Sequence, residues 1–333
     1  MLQRYDGVPD GFLDAAPRDL AAVLGGPSLI RVPGRRRPPL FASVMLHGNE
    51  PAGLEAVQRL LRTHTGHQLP RELVVFVGNV SAAATGVRRL DGQPDYNRIW
   101  PGTDQPGTPE AEMASGVVRE LEQEGLFASI DIHNNTGLNP HYGCINRLQP
   151  RFLGLASLFS RMLVYFTRPL GVQSLAFAPL CPAVTVECGR AGDRRGSDHA
   201  YEFLDAVLHL QDIPEHPAEE DIGLFHTVAR VRVPETQAFG FGDQADGIRF
   251  FSDLERMNFR ELPAGTPFAA YDGPGVPLLV EDEHGEDVAE RYFRQEQGEL
   301  VTASGFMPSM LTLDERVIRQ DCLCYVMERL ALS

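Results

Sequence analysis

The sequence predicts an α/β fold with a mixed, mostly parallel sheet flanked by helices, followed by a smaller C-terminal β-rich domain. Residues 40–46 and 72–78 are almost wholly apolar, as expected for strands that are buried on both faces of a sheet. Segments with apolar residues at helical spacing alternate with such strands. Beyond residue 221 the chain changes to short extended runs between glycine and proline turns, which is typical of a β-rich domain.

The individual elements follow from the same patterns. Helices are predicted over residues 16–24, 53–63, 109–124, 153–163 and 197–210. In the first domain, further strands are predicted over residues 128–133, 175–177 and 183–186. In the second domain, extended segments are predicted over residues 225–233, 266–271 and 277–280, with a helix or strand over 323–330. An acidic, proline-bearing stretch at 213–221 predicts the boundary, giving domains at 1–212 and 222–333.

Composition excludes several classes of partner. The formal net charge of -15 argues against nucleic acid or an anionic membrane, because both bind basic surfaces. No apolar run reaches transmembrane length, and the N-terminus lacks a basic segment followed by a long apolar one. Five cysteines in a chain of 333 residues do not suggest a disulfide framework. We expect a reduced, cytoplasmic, soluble protein. Its oligomeric state stays open, a homo-oligomer included.

The first candidate site follows the strand at 40–46. His47 and Glu50 offer an imidazole and a carboxylate three positions apart, and Gly48 is expected to let the chain turn sharply between them. Open α/β sheets place ligand sites beyond the carboxyl ends of their strands, which is where this pair lies. On its own, such a short motif is more often a solvated pair of polar residues.

Two further strands of the first domain also end in a chemically useful residue. The strand at 128–133 ends on His133, and Glu187 follows the strand at 183–186. His47, Glu50 and His133 would give two imidazoles, a carboxylate and an open fourth position, a common catalytic zinc set. Asp131 lies on the same face of its strand as His133 and could orient that imidazole.

Glu187 suits the transfer of a proton. The preceding Val-Thr-Val makes its surroundings apolar, which should raise its pKa, so that it could take a proton from zinc-activated water and pass it to a leaving amine. Simpler roles remain open, because His133 could bond to the backbone and Glu187 could pair with Arg190. His141 could line the pocket. The histidines interpreted as non-ligands are His64, His67, His199, His209, His216 and His226.

Five motifs follow one another along residues 40–210: His47-Gly48-Asn49-Glu50, Gly78-Asn79, Asp95-Tyr96-Asn97-Arg98, Asp131-Ile132-His133 and Val186-Glu187-Cys188-Gly189. This ordered set resembles the succinylglutamate desuccinylase/aspartoacylase family, which belongs to the zinc carboxypeptidase superfamily. The layout of the β-rich tail also matches.

The resemblance implies zinc-dependent hydrolysis of the amide bond of a small N-acyl amino acid. It implies one zinc ion per chain, with His47, Glu50 and His133 as ligands and Glu187 as general base and acid. Asn97 and Arg98 match the pair that binds the substrate carboxylate, since a guanidinium pairs well with that group. Arg88 best matches the arginine that polarises the scissile carbonyl, with Arg89 as the alternative. The family also has a tyrosine in its C-terminal tail, and the resemblance assigns this position to Tyr292.

The sequence departs from the family pattern near the substrate. Asp-Tyr-Asn-Arg replaces the usual Asp-Leu-Asn-Arg, and Asn134-Asn135-Thr136-Gly137 follows the third ligand in place of Thr-Ala. These changes leave the identity of the substrate open but do not affect the expected metal chemistry. Separately, the sequence does not decide between zinc and another divalent ion. Two other functions also remain open: a zinc carboxypeptidase that acts on short peptides, and a metal- or ligand-binding homologue without turnover.

Overall fold

The computed structural model describes residues 1–217, 222–242 and 246–331, and its α/β architecture confirms the predicted fold class. The chain divides into two compact units. The first comprises Met1–Asn134 and His141–Gly223, and the second comprises Asn135–Pro140 and Leu224–Ser333. The predicted boundary stretch at 213–221 ends in residues 218–221, which lie outside the described residues. The assignment of residues 135–140 to the second unit has no signal in the sequence.

The first unit is built on a mixed sheet. Its strands are β1 (Gln3–Asp6), β2 (Ser28–Val32), β3 (Leu40–Val44), β4 (Leu73–Val77), β5 (Ala128–Asn135), β6 (His141–Ile145), β7 (Met162–Tyr165) and β8 (Ala183–Arg190). Within this unit the strand order is β1-β2-β4-β3-β5-β8-β6-β7. The β3 strand pairs in parallel with both β4 and β5, whereas β4 pairs antiparallel with β2 and β8 antiparallel with β6.

Helices accompany this sheet. They are α1 (Leu20–Leu24), α2 (Ala52–Thr63), α3 (Val80–Ala83), α4 (Pro109–Glu124), α5 (Pro150–Ser157), α6 (Gln173–Phe177) and α7 (Arg194–His209). The α4 helix has the predicted bounds because Thr108 caps it, accepting a hydrogen bond from the Ala111 backbone N–H at 3.2 Å. Every residue of β3 and β4 is buried, which confirms the reading of their apolar runs as two-sided strands.

Two segments of the first unit differ from the sequence prediction. Residues 175–177 were predicted as a strand but form the end of helix α6, where Phe177 packs on Phe41 with ring centroids 4.6 Å apart. Residues 153–163 were predicted as one helix, but α5 ends at Ser157 and Leu163 lies in β7, paired with Gly143 of β6. Short apolar runs do not distinguish a buried helix from a buried strand, and packing partners decided both cases.

The second unit is rich in β-strands, as predicted. Its strands are β9 (Gly223–Arg232), β10 (Phe239–Phe241), β11 (Ile248–Phe250), β12 (Pro267–Ala270), β13 (Leu279–Asp282), β14 (Phe293–Glu296), β15 (Glu299–Thr302), β16 (Met307–Ser309) and β17 (Cys324–Arg329), with short helices α8 (Ala289–Tyr292) and α9 (Glu315–Gln320). The closing element predicted as helix or strand is therefore a strand.

These strands form two groups in the second unit. One has β9 between β13 and β17, with β16 beyond β17, and the other is a five-stranded sheet in the order β10-β11-β12-β15-β14. The unit has a buried hydrophobic core whose members come from positions 229 to 326 of the chain. In this core, Phe268 packs edge to face on Phe250 and on Phe293, and Phe293 packs in the same way on Phe306.

All five cysteines are buried, and none of them forms a disulfide within the described residues. Within the described ranges, none of the helices has both the length and the apolar character needed to cross a bilayer.

Candidate metal centre

The loop after β3 brings His47 and Glu50 together. The chain leaves the strand through Met45, whose φ of 56° lies in the left-handed region, and His47 Nδ1 then lies 2.8 Å from Glu50 Oε1. Gly48 lies in the turn between them, as expected, but it does not have a positive φ. A Cβ at Gly48 would instead lie 2.2 Å from the backbone nitrogen of Ala83. This glycine is required because two backbone segments approach closely.

His133 completes the set from β5. Its Nδ1 lies 2.7 Å from Glu50 Oε2, so the two imidazoles flank the two oxygens of one carboxylate. One ligand atom from each of the three residues lies within 4.8 Å of the others. All three side chains are buried. The structure therefore brings the sequence-predicted ligand set to one point, with the Nδ1 atom of each histidine facing inward.

The outer nitrogen of each imidazole contacts another carboxylate. His47 Nε2 lies 3.0 Å from Asp95 Oδ1, and His133 Nε2 lies 2.8 Å from Asp131 Oδ2. Asp131 is itself held by Ser43, whose hydroxyl donates to Oδ1 at 2.6 Å. A proton on each Nε2 satisfies these carboxylates and leaves a lone pair on each Nδ1, which is the form a metal requires. The sequence pointed to this use of Asp131 but missed that of Asp95.

The charges of the centre favour a bound cation. Burial raises the pKa of Glu50, but the two neighbouring imidazoles outweigh it and hold that pKa well below its usual value. Burial lowers the pKa of His133, but Asp131 and Glu50 raise it well above the usual value. In the absence of other cations, the carboxylates thus favour a proton on both imidazoles. A divalent ion can replace such protons, as in other sites whose ligands must be deprotonated.

Arg88 reaches the same centre. Its Nη2 donates to Asp95 Oδ2 at 3.0 Å, and its Nη1 lies 3.5 Å from Glu50 Oε1. Arg89 instead donates from Nη1 to the backbone carbonyl of Gln93 at 2.8 Å. Of the two alternatives left by the sequence, the structure brings Arg88 to the predicted ligands.

Asn97 and Arg98 lie beside the centre. Asn97 Nδ2 is 3.3 Å from His133 Nε2, and Asn97 Oδ1 accepts the Gln173 backbone N–H at 3.1 Å. Arg98 donates from Nη1 to the carbonyl of Asn97 at 2.8 Å. Asn97 therefore links the outer face of His133 to the start of α6. The short helix α6, which the sequence did not predict, helps to position this residue.

Glu187 lies within β8, the neighbour of β5 in the sheet, and not after the end of a strand as predicted. Its side chain is buried. Burial is the main reason that the pKa of Glu187 is raised to about 7, and the nearby carboxylates of Glu50 and Asp131 add to this effect. The expectation that apolar surroundings raise the pKa of this carboxyl agrees with the structure. A carboxyl that titrates near neutral pH can both accept and donate a proton.

Comparison with known protein families gives one match that covers the candidate metal centre. The succinylglutamate desuccinylase/aspartoacylase catalytic domain matches residues 40–212, more than half of the chain. The chain belongs to this family. The match contains all three predicted ligands and Glu187, and no curated protein matches the chain in sequence.

Solved structures of the desuccinylase/aspartoacylase type share the fold. The succinylglutamate desuccinylase of Chromobacterium violaceum has a TM-score of 0.57 at 19% identity, over 90% of this chain and 87% of its own. A succinylglutamate desuccinylase/aspartoacylase of Rhodobacter sphaeroides has a TM-score of 0.59 at 17% identity, over 90% and 88%. Murine aminoacylase 3 has a TM-score of 0.52 at 16% identity, over 89% and 97%.

Tyr292, which the family resemblance proposes for the substrate site, lies in the second unit. It is 1% exposed, and its hydroxyl donates to Glu328 Oε1 at 3.0 Å. Its ring packs edge to face on Phe306. Its role toward a substrate stays a prediction.

His141, the other histidine left open by the sequence, begins β6. Its Nδ1 lies 2.8 Å from Nδ1 of His199, and its ring stacks on Phe159. The structure thus pairs His141 with a histidine of α7, and its use by a substrate stays a prediction.

Proposed function

We propose that this member of the desuccinylase/aspartoacylase family is a zinc-dependent hydrolase that cleaves the amide bond of a small N-acyl amino acid. The observation that carries the proposal is the convergence of His47, Glu50 and His133, with Glu187 buried on the neighbouring strand. The β5 and β8 strands are adjacent, so ligands and proton carrier share one part of the sheet.

The donor set fits zinc. Two imidazole nitrogens and one carboxylate form a common set for catalytic zinc, with a fourth position for water or substrate. The contacts of His47 with Asp95 and of His133 with Asp131 fix the ring orientations that such binding needs. When bound, zinc would polarise a carbonyl and lower the pKa of water.

Glu187 acts as the proton carrier in this proposal. Its carboxylate accepts a proton from the attacking water and returns it to the nitrogen of the leaving amine, so that the amine departs neutral. The pKa of about 7 suits both halves of this task, because the group is neither a strong acid nor permanently protonated at neutral pH. Its buried position keeps the transferred proton away from bulk water.

The polar residues around the centre would bind the substrate. Arg88, which lies beside Glu50, is the proposed donor to the oxygen of the scissile carbonyl as negative charge develops there. Asn97 and Arg98 are the proposed partners of the free carboxylate. The partner is therefore a small anionic molecule, which responds to these local charges in spite of the net charge of -15.

We also propose a cytoplasmic location, which is supported by five buried cysteines that form no disulfide within the described residues.

The test is amine release by zinc-loaded protein from a panel of N-acyl amino acids and dipeptides with free C-termini. The panel includes acetyl-aspartate and succinyl-glutamate. Turnover of an acyl amino acid supports the proposal and identifies the acyl group. Turnover confined to dipeptides would instead assign a carboxypeptidase. Absence of turnover across a wider amide panel, with zinc bound, would favour a binding protein.

A further inference from the structure

A second group of metal-binding side chains lies where helices α2 and α7 end. His64 directly follows the last residue of α2, while Asp205 and His209 are one turn apart at the end of α7. One ligand atom from each of the three lies within 4.8 Å of the others. None of them belongs to the centre formed by His47, Glu50 and His133.

Both imidazoles direct Nδ1 to a backbone carbonyl, and His209 Nδ1 also lies 3.7 Å from Asp205 Oδ2. His64 Nδ1 lies 3.0 Å from the carbonyl oxygen of Leu60, and His209 Nδ1 lies 2.8 Å from that of Asp205. A carbonyl oxygen only accepts hydrogen bonds, so each Nδ1 carries a proton and each neutral ring has its lone pair on Nε2. Histidines that bind metals commonly anchor their other nitrogen on a carbonyl in this way.

The backbone around these residues is fixed by other groups. Helices α2 and α7 pack side by side, and the rings of His64 and His209 have centroids 6.4 Å apart. Arg36 donates to the carbonyl of His209 at 2.9 Å, and Arg71 donates to that of Leu210 at 3.1 Å. The end of α7 is therefore anchored without use of the His209 side chain.

The group is open to solvent. The side chains of His209 and Asp205 are 55% and 34% exposed, so an ion can enter and water can complete its coordination. Two imidazoles and one carboxylate suit borderline transition-metal ions such as Zn²⁺, Ni²⁺ and Cu²⁺ better than Mg²⁺ or Ca²⁺, which prefer oxygen ligands.

We propose that His64, Asp205 and His209 form a surface site for a divalent transition-metal ion. An ion held there would join the ends of α2 and α7. The α2 helix begins two residues after Glu50, and α7 follows the strand that carries Glu187. The site would thus tie together two helices that support the candidate metal centre. For His64 and His209, this replaces the sequence interpretation as non-ligands.

The experiment is a titration of the metal-free full chain with Zn²⁺ alone, measured by isothermal titration calorimetry. The wild type is compared with His209→Ala and Asp205→Asn. His216→Ala serves as the matched control, because His216 is also exposed and lies outside the group. His47→Ala removes a proposed ligand of the other centre and separates the two sites. Circular dichroism of each metal-free variant checks that it is folded.

We expect His209→Ala and Asp205→Asn each to bind one ion fewer than the wild type, or to bind that ion at least tenfold more weakly. His216→Ala should match the wild type, and His47→Ala should retain the ion at α2 and α7. Excess Zn²⁺ should raise the melting temperature of His47→Ala, and adding His209→Ala should remove that rise. Equal stoichiometry and affinity in the wild type and His209→Ala would overturn the proposal, whether or not the first centre binds zinc.

Discussion

The carboxyl of Glu187 should make the protein less stable at high pH, and replacing it with glutamine should reverse that loss. The pKa of Glu187 is raised from 4.5 to about 7, chiefly by burial, so folding favours the protonated form. Below pH 4.5 the Glu187 carboxyl is mostly protonated in both the folded and the unfolded state, so it does not change the free energy of unfolding. Stability falls as the pH rises from there to about 7, because ionisation then opposes folding.

The size of this effect follows from the two pKa values. The difference between 4.5 and about 7 corresponds to about 3 kcal/mol, since each pKa unit is worth about 1.36 kcal/mol. Glutamine has nearly the shape of glutamate but does not ionise. Glu187→Gln should therefore raise the free energy of unfolding by about 3 kcal/mol at pH 8.5 and by less than about 1 kcal/mol at pH 5.

The assay is urea unfolding of chelated, metal-free protein at pH 5 and pH 8.5, because a bound dication would itself change the pKa of a nearby carboxyl. Glu55→Gln is the control, since Glu55 is exposed on α2 and should show no such pH-dependent gain. Equal unfolding free energies for wild type and Glu187→Gln at pH 8.5 would refute the reasoning from burial.

The same substitution separates stability from activity. Glu187→Gln should lower kcat by about 10²- to 10⁴-fold, the usual contribution of a general acid or base, while zinc stays bound. In the zinc-loaded wild type, the rate should rise with pH as Glu187 loses its proton, at a pH below the metal-free pKa of about 7, because a bound dication favours the carboxylate. A variant that gains stability at pH 8.5 but keeps its rate would contradict the proton-carrier role and leave the burial argument intact.

Three further substitutions test other residues of the candidate metal centre and of the polypeptide around it. Asp131→Ala should weaken zinc affinity about 10- to 100-fold, measured by competition with a chelator, because it removes the 2.8 Å contact that orients His133. Arg98→Ala should raise KM for carboxylate substrates with little change in kcat, and an unchanged KM would exclude Arg98 from carboxylate binding. Gly48→Ala should destabilise the protein by about 1–3 kcal/mol in urea unfolding, because its Cβ would lie 2.2 Å from a backbone nitrogen, whereas Gly116→Ala, which meets no neighbour within 4 Å, should not.

The strand β3 and the helix α4 were predictable from sequence because their signals are local. The apolar run of β3 and the capped start of α4 each depend on neighbouring residues, and the structure reproduces both closely. The contribution of Asp95 was not readable. Its carboxylate touches His47 across 48 positions of sequence, and a loop aspartate carries no mark of such a contact.

Segments with a short apolar run were decided by tertiary packing. Residues 173–177 adopt a helix with Gln173 bound to Asn97 and Ser129, and Phe177 beneath Phe41. Taken without their packing partners, residues 175–177 fit a strand pattern equally well. The choice between Arg88 and Arg89 was open for a similar reason, because neighbouring arginines differ only in which direction the folded loop turns them.

By itself, the sequence determined the fold class and the residues of the candidate metal centre, because strand burial and ligand type are set by residue identity. Only the tertiary structure decided how those ligands are held and which other side chains meet. The contacts of Asp95 and Asp131 with the two imidazoles, and the approach of His64 to His209, join residues far apart in the chain. Such contacts depend on how the elements pack, and packing is a property of the whole fold.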